Sequence, residues 1–353
     1  MSTPRFALHD LHALGMALLD TSGMPQDKAQ AITDILMEGD LMGHDTHGFQ
    51  LLPSYLEEIH SNGMTREGEP EVISDVGAVL TWDGKRLPGQ WLMLRALDVA
   101  STRARQFGMG AVCIRRSHHI AALAPYARRV ALQGQVLLLM TSAPAGASVA
   151  PFGGTKALFS PSPIGFGVPT SHDPILVDVS TSITTNGLTN LLAKEGKTLP
   201  GPWLIDEQGQ PTNDPSVLIK PREGTILPLG GTDVGHKGYG LSLMVEALTA
   251  GLAGHGKADP VFRLGASLFV QVLDPQAFSG TAELHRQMDW LADKCKNNPP
   301  ADAHRPVRLP GERGLQLWRE QEDKGIVLKA SVQKNLAVWA EKLNVPMPQP
   351  QVG

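Results

Sequence analysis

The chain reads as an α/β protein of two or three packed parts. Three observations carry this. It has 353 residues, of which 42% are hydrophobic, enough to enclose a substantial core. Helical and strand-like hydrophobic periods alternate through its middle. Boundary residues mark some of those segments, Pro88 and Gly108 at the ends of one helix and Gly134 after another.

Along the chain, residues 27–41 have the period of an amphipathic helix, with Ala31, Ile35 and Leu36 on one face. Residues 80–84 predict a strand running into a turn, and Pro88 suits the first turn of a helix that Gly108 stops. A short buried strand is predicted over 110–114, a helix over 121–133 capped by Gly134, and a strand over 136–141. Residues 144–174 are crowded with Gly, Pro and Ser; a loop of that length is usually functional. Residues 175–179 return as a strand, and 196–224 form a turn-rich excursion. A strongly apolar helix follows over 238–252, a strand over 266–273 and a helix over 281–295. A proline-rich crossing follows over 296–310, and helices near 315–324 and 331–343 close the chain.

Charge and composition exclude several classes. A net charge of −4 offers no broad basic field for nucleic acid. The two cysteines, Cys113 and Cys295, read as free thiols of a reducing compartment. Residues 1–20 lack the pattern of a secretory signal, and the most apolar run, 136–140, is far too short to span a bilayer. The expectation is a soluble cytoplasmic protein without membrane or nucleic-acid partners.

Five segments carry candidate chemistry. In Gly43-His44-Asp45-Thr46-His47-Gly48 an imidazole that titrates near neutrality could protonate a carbonyl oxygen as hydride arrives, oriented by the Thr46 hydroxyl. The plainer reading is a helix end with surface histidines. No metal set of the His-Glu-x-x-His kind is present. Arg115-Arg116-Ser117-His118-His119, just after a strand, could hold a phosphate or carboxylate, or be a polar loop. Asp178 lies among apolar strand residues, where a carboxylate needs partners. It could orient a histidine or anchor a helix start. In the run from Gly230 to Gly240, the glycines and Lys237 at a helix start suit phosphate oxygens, although neither standard nucleotide fingerprint applies. Pro310-Gly311-Glu312-Arg313 by itself is an ordinary helix start.

Taken in this order, the segments resemble the malate/L-lactate dehydrogenase-like oxidoreductases, a family unrelated to the Rossmann-type lactate and malate dehydrogenases. The likeness runs from Asp45 to about Leu343. It rests on Asp45-Thr46-His47-Gly48 with Pro53 and Tyr55, on Ser117 to Ile120, on Ala150-Pro151-Phe152-Gly153-Gly154 and on Asp178-Val179-Ser180-Thr181-Ser182. Leu199-Pro200 with Gly209-x-Pro211-Thr212, His236-Lys237-Gly238-Tyr239-Gly240 and Leu309-Pro310-Gly311-Glu312-Arg313 complete it.

The resemblance implies a non-Rossmann α/β fold: a helical dimerisation part (1–72 and 300–353), a cofactor-binding part (73–118 and 222–299) and a substrate/cofactor part (119–221). It implies NAD or NADP as cofactor and a small 2-oxo (or cyclic 2-imino) carboxylate reduced to the hydroxy (or amino) acid. His47 would be proton donor, Thr46 and Asp178 its relay. The cofactor would be held by His119, by Val177, Val179 and Ser180, by His236, Lys237 and Gly238, and by Gly311, Glu312 and Arg313. A homodimer is expected, with helices of residues 1–70 and the final segment in the contact. Three positions depart from the family pattern. Leu51 stands where many members carry an arginine for the substrate carboxylate, leaving Arg115, Arg116 or backbone N–H groups for that task. Ser160-Pro161-Ser162-Pro163 replaces Gly-Thr-Asn-Pro, and Ala121 replaces a glycine. The rivals to hydride transfer are a non-catalytic homologue that binds a metabolite or nucleotide, and a non-redox enzyme using His47 as general base.

Overall fold

The computed structural model describes residues 4–260 and 263–351. In chain order the first third comprises β1 (Arg5–Phe6), α1 (Leu8–Thr21), α2 (Gln26–Leu41), α3 (Leu52–His60), β2 (Glu71–Val76), β3 (Val79–Asp83), α4 (Gly89–Phe107) and β4 (Met109–His118). The middle comprises α5 (Ala124–Ala131), β5 (Val136–Ser142), β6 (Ile164–Val168), β7 (Ile175–Val179), α6 (Asn186–Lys194), β8 (Leu204–Ile205), β9 (Pro211–Thr212) and β10 (Thr225–Ile226). The remainder comprises α7 (Gly231–Val234), α8 (His236–Glu246), β11 (Gly265–Leu273), α9 (Thr281–Lys296), α10 (Glu312–Lys324), β12 (Ile326–Val327) and α11 (Ala330–Leu343).

The centre is a seven-stranded sheet in the order β2-β3-β4-β11-β5-β6-β7. Its one parallel pair is β3 with β4, in register Val79↔Ala111 to Asp83↔Arg115, and α4 is the crossover between them. All other neighbours are antiparallel. This is not the parallel, doubly wound sheet of a Rossmann domain. The sheet draws strands from both α/β parts expected from the sequence, so the 118/119 boundary crosses one continuous sheet.

α4 forms where the sequence calls for it. Pro88 precedes it with a fixed φ, and Gly108, at φ 85°, ends it in a left-handed conformation. Its Leu92, Ala96, Ala100 and Ala104 recur at four-residue spacing and are fully buried. β11 lies at the centre of the sheet, with Leu268, Val270 and Val272 fully buried. The small sheet β10-β8-β9 lies within the turn-rich excursion around 196–224.

The chain ends meet. β1 pairs with β12, Arg5↔Val327 and Phe6↔Ile326, and α1, α2, α3 and α11 bury Leu18, Ile35, Leu56 and Leu336 in one core. The terminal segments thus pack on one another within the chain. Among the described residues, large exposed apolar side chains lie on β2 (Val72, Ile73, Val76), α8 (Leu243, Met244), α9 (Trp290, Leu291) and, at Val338, on α11.

Four sequence expectations are corrected. β4 extends to His118, so Arg115 to His118 belong to the strand rather than follow it. α5 starts at Ala124 and ends at Ala131, because its first amides are held by a carboxylate distant in sequence. The stretch 144–174 contains β6. The glycine-rich run from Gly230 is already helical at Gly231–Val234.

Candidate active site

α2 ends at Leu41, and the chain then turns tightly through His47, whose N–H donates to His44 O at 2.7 Å. The turn is seated on Asp40. Asp40 Oδ2 accepts the Phe49 N–H at 2.8 Å, and a Cβ at Gly48 would lie 2.0 Å from Asp40 Oδ1. Only glycine fits over that carboxyl. Burial pushes Asp40 up to about 8, against the donated Phe49 N–H, with the Asp45 charge adding to the rise and Lys329 opposing it.

The turn presents the His47 ring. Its Nδ1 is 2.9 Å from Thr46 Oγ1, and Nε2 has no hydrogen-bond partner among the described residues. Burial lowers the His47 pKa, Asp178 raises it and His44 lowers it, the net shift being downward. Thr46 abuts the start of α6: a Cβ at Gly187 would lie 3.1 Å from Thr46 Cβ.

His119 lies beside His47, their ring centroids 5.9 Å apart. Its Nδ1 accepts the Ala121 N–H at 3.2 Å and lies 2.7 Å from the Tyr55 hydroxyl, which in turn accepts from Gln90 Nε2 at 2.9 Å. An acceptor Nδ1 places the ring proton on Nε2. Burial, then the His47 charge, pushes His119 down to about 3, so its ring is neutral. Sequence reading assigns Gln90 no role. It lies inside a helix, 35 residues from Tyr55, and no local spacing signals the contact.

Asp178 Oδ2 accepts the N–H groups of Leu123 and Ala124 at 2.8 and 3.1 Å. It therefore caps α5, where a carboxylate meets unpaired amides and the positive helix end. It makes no hydrogen bond to His47 and acts on that ring through charge.

A cleft of about 1040 Å³ is lined by Val177, Asp178, Val179, Gly311 and Arg313, together with His44, Asp45, Arg5, Arg308 and Lys329. Gly311 lies against the strand so closely that a Cβ there would be 2.7 Å from Leu176 Cβ, and Leu176 N–H donates to Pro310 O. Glu312 turns its carboxylate to the Leu309 N–H and to Lys296. At the other end of the strand, Leu229 N–H donates to Thr181 O, Gly238 N–H donates to Leu229 O, and Ser242 Oγ bonds Thr181 Oγ1. These bonds bring His236, Lys237 and Gly238 beside Ser180, outside the cleft lining. Ser180 Oγ itself donates to Ser182 O.

Arg115 and Arg116 are not available for a substrate. Opposite β11 the register of β4 slips between Ile114 and Ser117, and Arg116 takes φ 51°. Neighbours on a strand normally point to opposite faces, but this bulge turns both guanidiniums onto buried Asp83. Arg115 Nε lies 2.8 Å from Oδ2 and Arg116 Nε 2.9 Å from Oδ1. Burial raises the Asp83 pKa, but bonds from Arg116, the Lys85 amide and Arg115 outweigh it and hold the group below its usual value. Leu51 packs against the core. Ser160 and Ser162 are buried and bonded to each other at 3.0 Å. Among the described residues no cluster suited to a metal ion occurs, and no helix is long and apolar enough to cross a membrane.

The profile of the family described as malate/L-lactate dehydrogenase matches residues 6–337. The chain belongs to that family. It is 30% identical to the L-lactate dehydrogenase of Cupriavidus necator over 98% of this chain and 99% of that one. It is 32% identical to the (2R)-3-sulfolactate dehydrogenase (NADP(+)) of Chromohalobacter salexigens, over 95% and 97%. The solved malate dehydrogenase of Pyrococcus horikoshii superposes with a TM-score of 0.89 at 26% identity, covering 98% of this chain and 97% of that one. As a malate/L-lactate dehydrogenase family member the chain is an oxidoreductase acting on hydroxy acids, and the family implies a nicotinamide cofactor.

Proposed function

We propose that the protein interconverts a small 2-oxo (or cyclic 2-imino) carboxylate and its 2-hydroxy (or amino) acid with NAD or NADP, and that His47 is the proton donor. The observation that carries this reading is the half-buried His47 ring, fixed at Nδ1 by Thr46 with Nε2 unbonded among the described residues, beside a strand whose length borders a cleft of dinucleotide size.

The residues fit the cofactor. The glycines at 238 and 311 sit where the backbone is packed too closely for any side chain, and Lys237 and Arg313 supply positive charge. Val177, Val179 and Ser180 would form the floor between them. Bound there, the nicotinamide supplies the hydride. Protonated His47 would give its Nε2 proton to the substrate's carbonyl oxygen as the carbonyl is reduced. Thr46 accepts from Nδ1–H in the charged ring. Asp178 stabilises that charge across space. His119, neutral with its proton on Nε2, stands ready to donate a hydrogen bond to a bound carbonyl or carboxamide oxygen. With Leu51, Arg115 and Arg116 withdrawn, backbone N–H groups remain to hold the substrate carboxylate.

The protein is proposed to act as a cytoplasmic homodimer, with helices of residues 1–70 and the final segment in the contact. Light scattering at micromolar concentration tests this, and a monomer refutes it. The function is tested by mixing the protein with NADH and NADPH and reading the nicotinamide fluorescence, followed by a screen of 2-oxo acids and cyclic imino acids. Binding with turnover supports the reading. Binding without any turnover supports the non-catalytic homologue, and no binding of either cofactor refutes the cofactor site.

A further inference from the structure

We propose that this chain prefers the 2′-phosphorylated cofactor, NADP, and that Arg308 and Arg313 form the site of the 2′-phosphate. The inference rests on the cofactor site proposed above and adds to it a direction and a charge test.

The direction follows from the strand. Thr46 abuts the start of α6, and the start of α8 is bonded to Thr181, so the proton donor and Lys237 lie toward the 180–187 end. Gly311 packs on Leu176 at the opposite end. Five residues of extended chain between 176 and 181 span roughly 16 Å. A dinucleotide with its nicotinamide at the His47 end therefore places its adenosine beside 308–313.

The charge follows from which groups are already paired. In the cleft, Lys329 is bonded to Asp45 at 3.0 Å, and Arg5 to Glu320 and Gly325 O. Arg308 and Arg313 make no ion pair or hydrogen bond among the described residues, and both are exposed at the adenosine end. The carboxylates nearby are committed: Asp178 to the α5 amides, Glu312 to Leu309 N–H and Lys296, Asp45 to Lys329. An enzyme reading a 2′-hydroxyl typically offers the ribose an acidic acceptor, whereas one reading a 2′-phosphate offers arginine. Here the acids are occupied and two guanidiniums are not. Guanidinium forks match phosphate oxygens in pairs.

The experiment compares NADPH and NADH binding to the full chain by calorimetry, with adenosine 2′,5′-bisphosphate and ADP as fragments. The wild type is expected to bind NADPH at least about tenfold more tightly at low salt, the preference shrinking as salt screens exposed charge. It should also bind the 2′,5′-bisphosphate more tightly than ADP. The double variant Arg308→Ser/Arg313→Ser should lose most of that preference, weakening NADPH binding by a much larger factor than NADH binding, with an unaltered unfolding midpoint. Equal or tighter NADH binding by the wild type overturns the inference. So does a double variant that weakens both cofactors alike, which would place the arginines on the pyrophosphate. If neither dinucleotide binds the wild type, the cofactor site itself fails, and the inference with it.

Discussion

The imidazoles of His47 and His119 lie face to face, centroids 5.9 Å apart and planes inclined by 25°. Two half-buried rings this close repel each other when both are charged, and the network of Tyr55, Gln90 and the Ala121 amide favours neutral His119. His119 is held neutral, and the proposed function therefore gives the mobile proton to His47. His47→Ala is expected to lower reduction of any accepted 2-oxo acid by about 10²–10⁴-fold. NADH and NADPH binding, read by fluorescence, should be unchanged. Wild-type turnover in the variant would remove His47 from the mechanism.

The pH profile follows from the sign of the His47 shift. Burial brings its pKa below the ordinary 6.5, and Asp178 opposes that fall. The donor form is present at low pH and is lost as pH rises through the lowered value. kcat/KM for reduction of a carbonyl substrate should therefore decline on a limb below pH 6.5, and oxidation should rise along it. Asp178→Asn removes the opposing charge, so the limb should move to still lower pH and the rate at neutrality should fall, with little change in cofactor affinity. An unmoved limb would show that Asp178 serves only to cap α5.

Lys237 lies in the first turn of α8 with its side chain exposed. Placed at the nicotinamide end, it reads a part common to both cofactors. Lys237→Ala should weaken NADH and NADPH binding by similar factors and leave the single-turnover hydride step near the wild-type rate. Unchanged affinity by calorimetry would exclude it from the site.

Much of this architecture is legible in sequence because its signals are local. Pro88 and Gly108 bracket α4, and the alternating Leu268, Val270 and Val272 announce β11. What is illegible depends on distant partners. β2 is exposed on both faces, so it shows no alternation. β6 hides in a Gly- and Pro-rich stretch, and its place is set by pairing with β5 and β7. The true start of α5 depends on Asp178, 55 residues away. The motif around His47 is readable, but the floor beneath it is not: Asp40 looks like any polar residue in a last helical turn. Arg115 and Arg116 resemble an anion site in sequence because Asp83 sits on a neighbouring strand.

Ala121, where the family pattern has glycine, takes φ 63°. The left-handed region costs an alanine about 1–2 kcal/mol, whereas glycine loses about 0.4–1 kcal/mol through its freer unfolded chain. Ala121→Gly should thus leave stability unchanged or raise it by up to about 1.6 kcal/mol, while keeping the N–H that holds His119. Ala127→Gly, within α5, should by contrast lose about 1 kcal/mol. Urea unfolding of the two variants gives the comparison, and equal losses would show that Ala121 carries no strain.

Asp40 makes the stability of the His47 turn depend on pH in a direction opposite to that of the histidines. Buried His118 and half-buried His119 are both pushed down to about 3, by desolvation first. Below pH 6.5 the unfolded chain takes protons that the folded chain refuses, so their contribution is full above 6.5 and is lost as pH falls toward 3. Asp40, pushed up to about 8 by burial, is protonated in the fold when the unfolded chain has already ionised. Its contribution is full below about 4 and is lost as pH rises toward 8, at up to roughly 1.4 kcal/mol per pH unit. The substitution Asp40→Asn keeps a side-chain oxygen for the Phe49 N–H and removes the group that ionises. The stability of that variant relative to wild type should therefore climb steadily from about pH 5 to pH 8, while groups common to both proteins cancel in the difference. Urea unfolding at each pH measures it. A difference that stays level with pH would mean that Asp40 is already ionised in the fold, with the Lys329 charge outweighing burial.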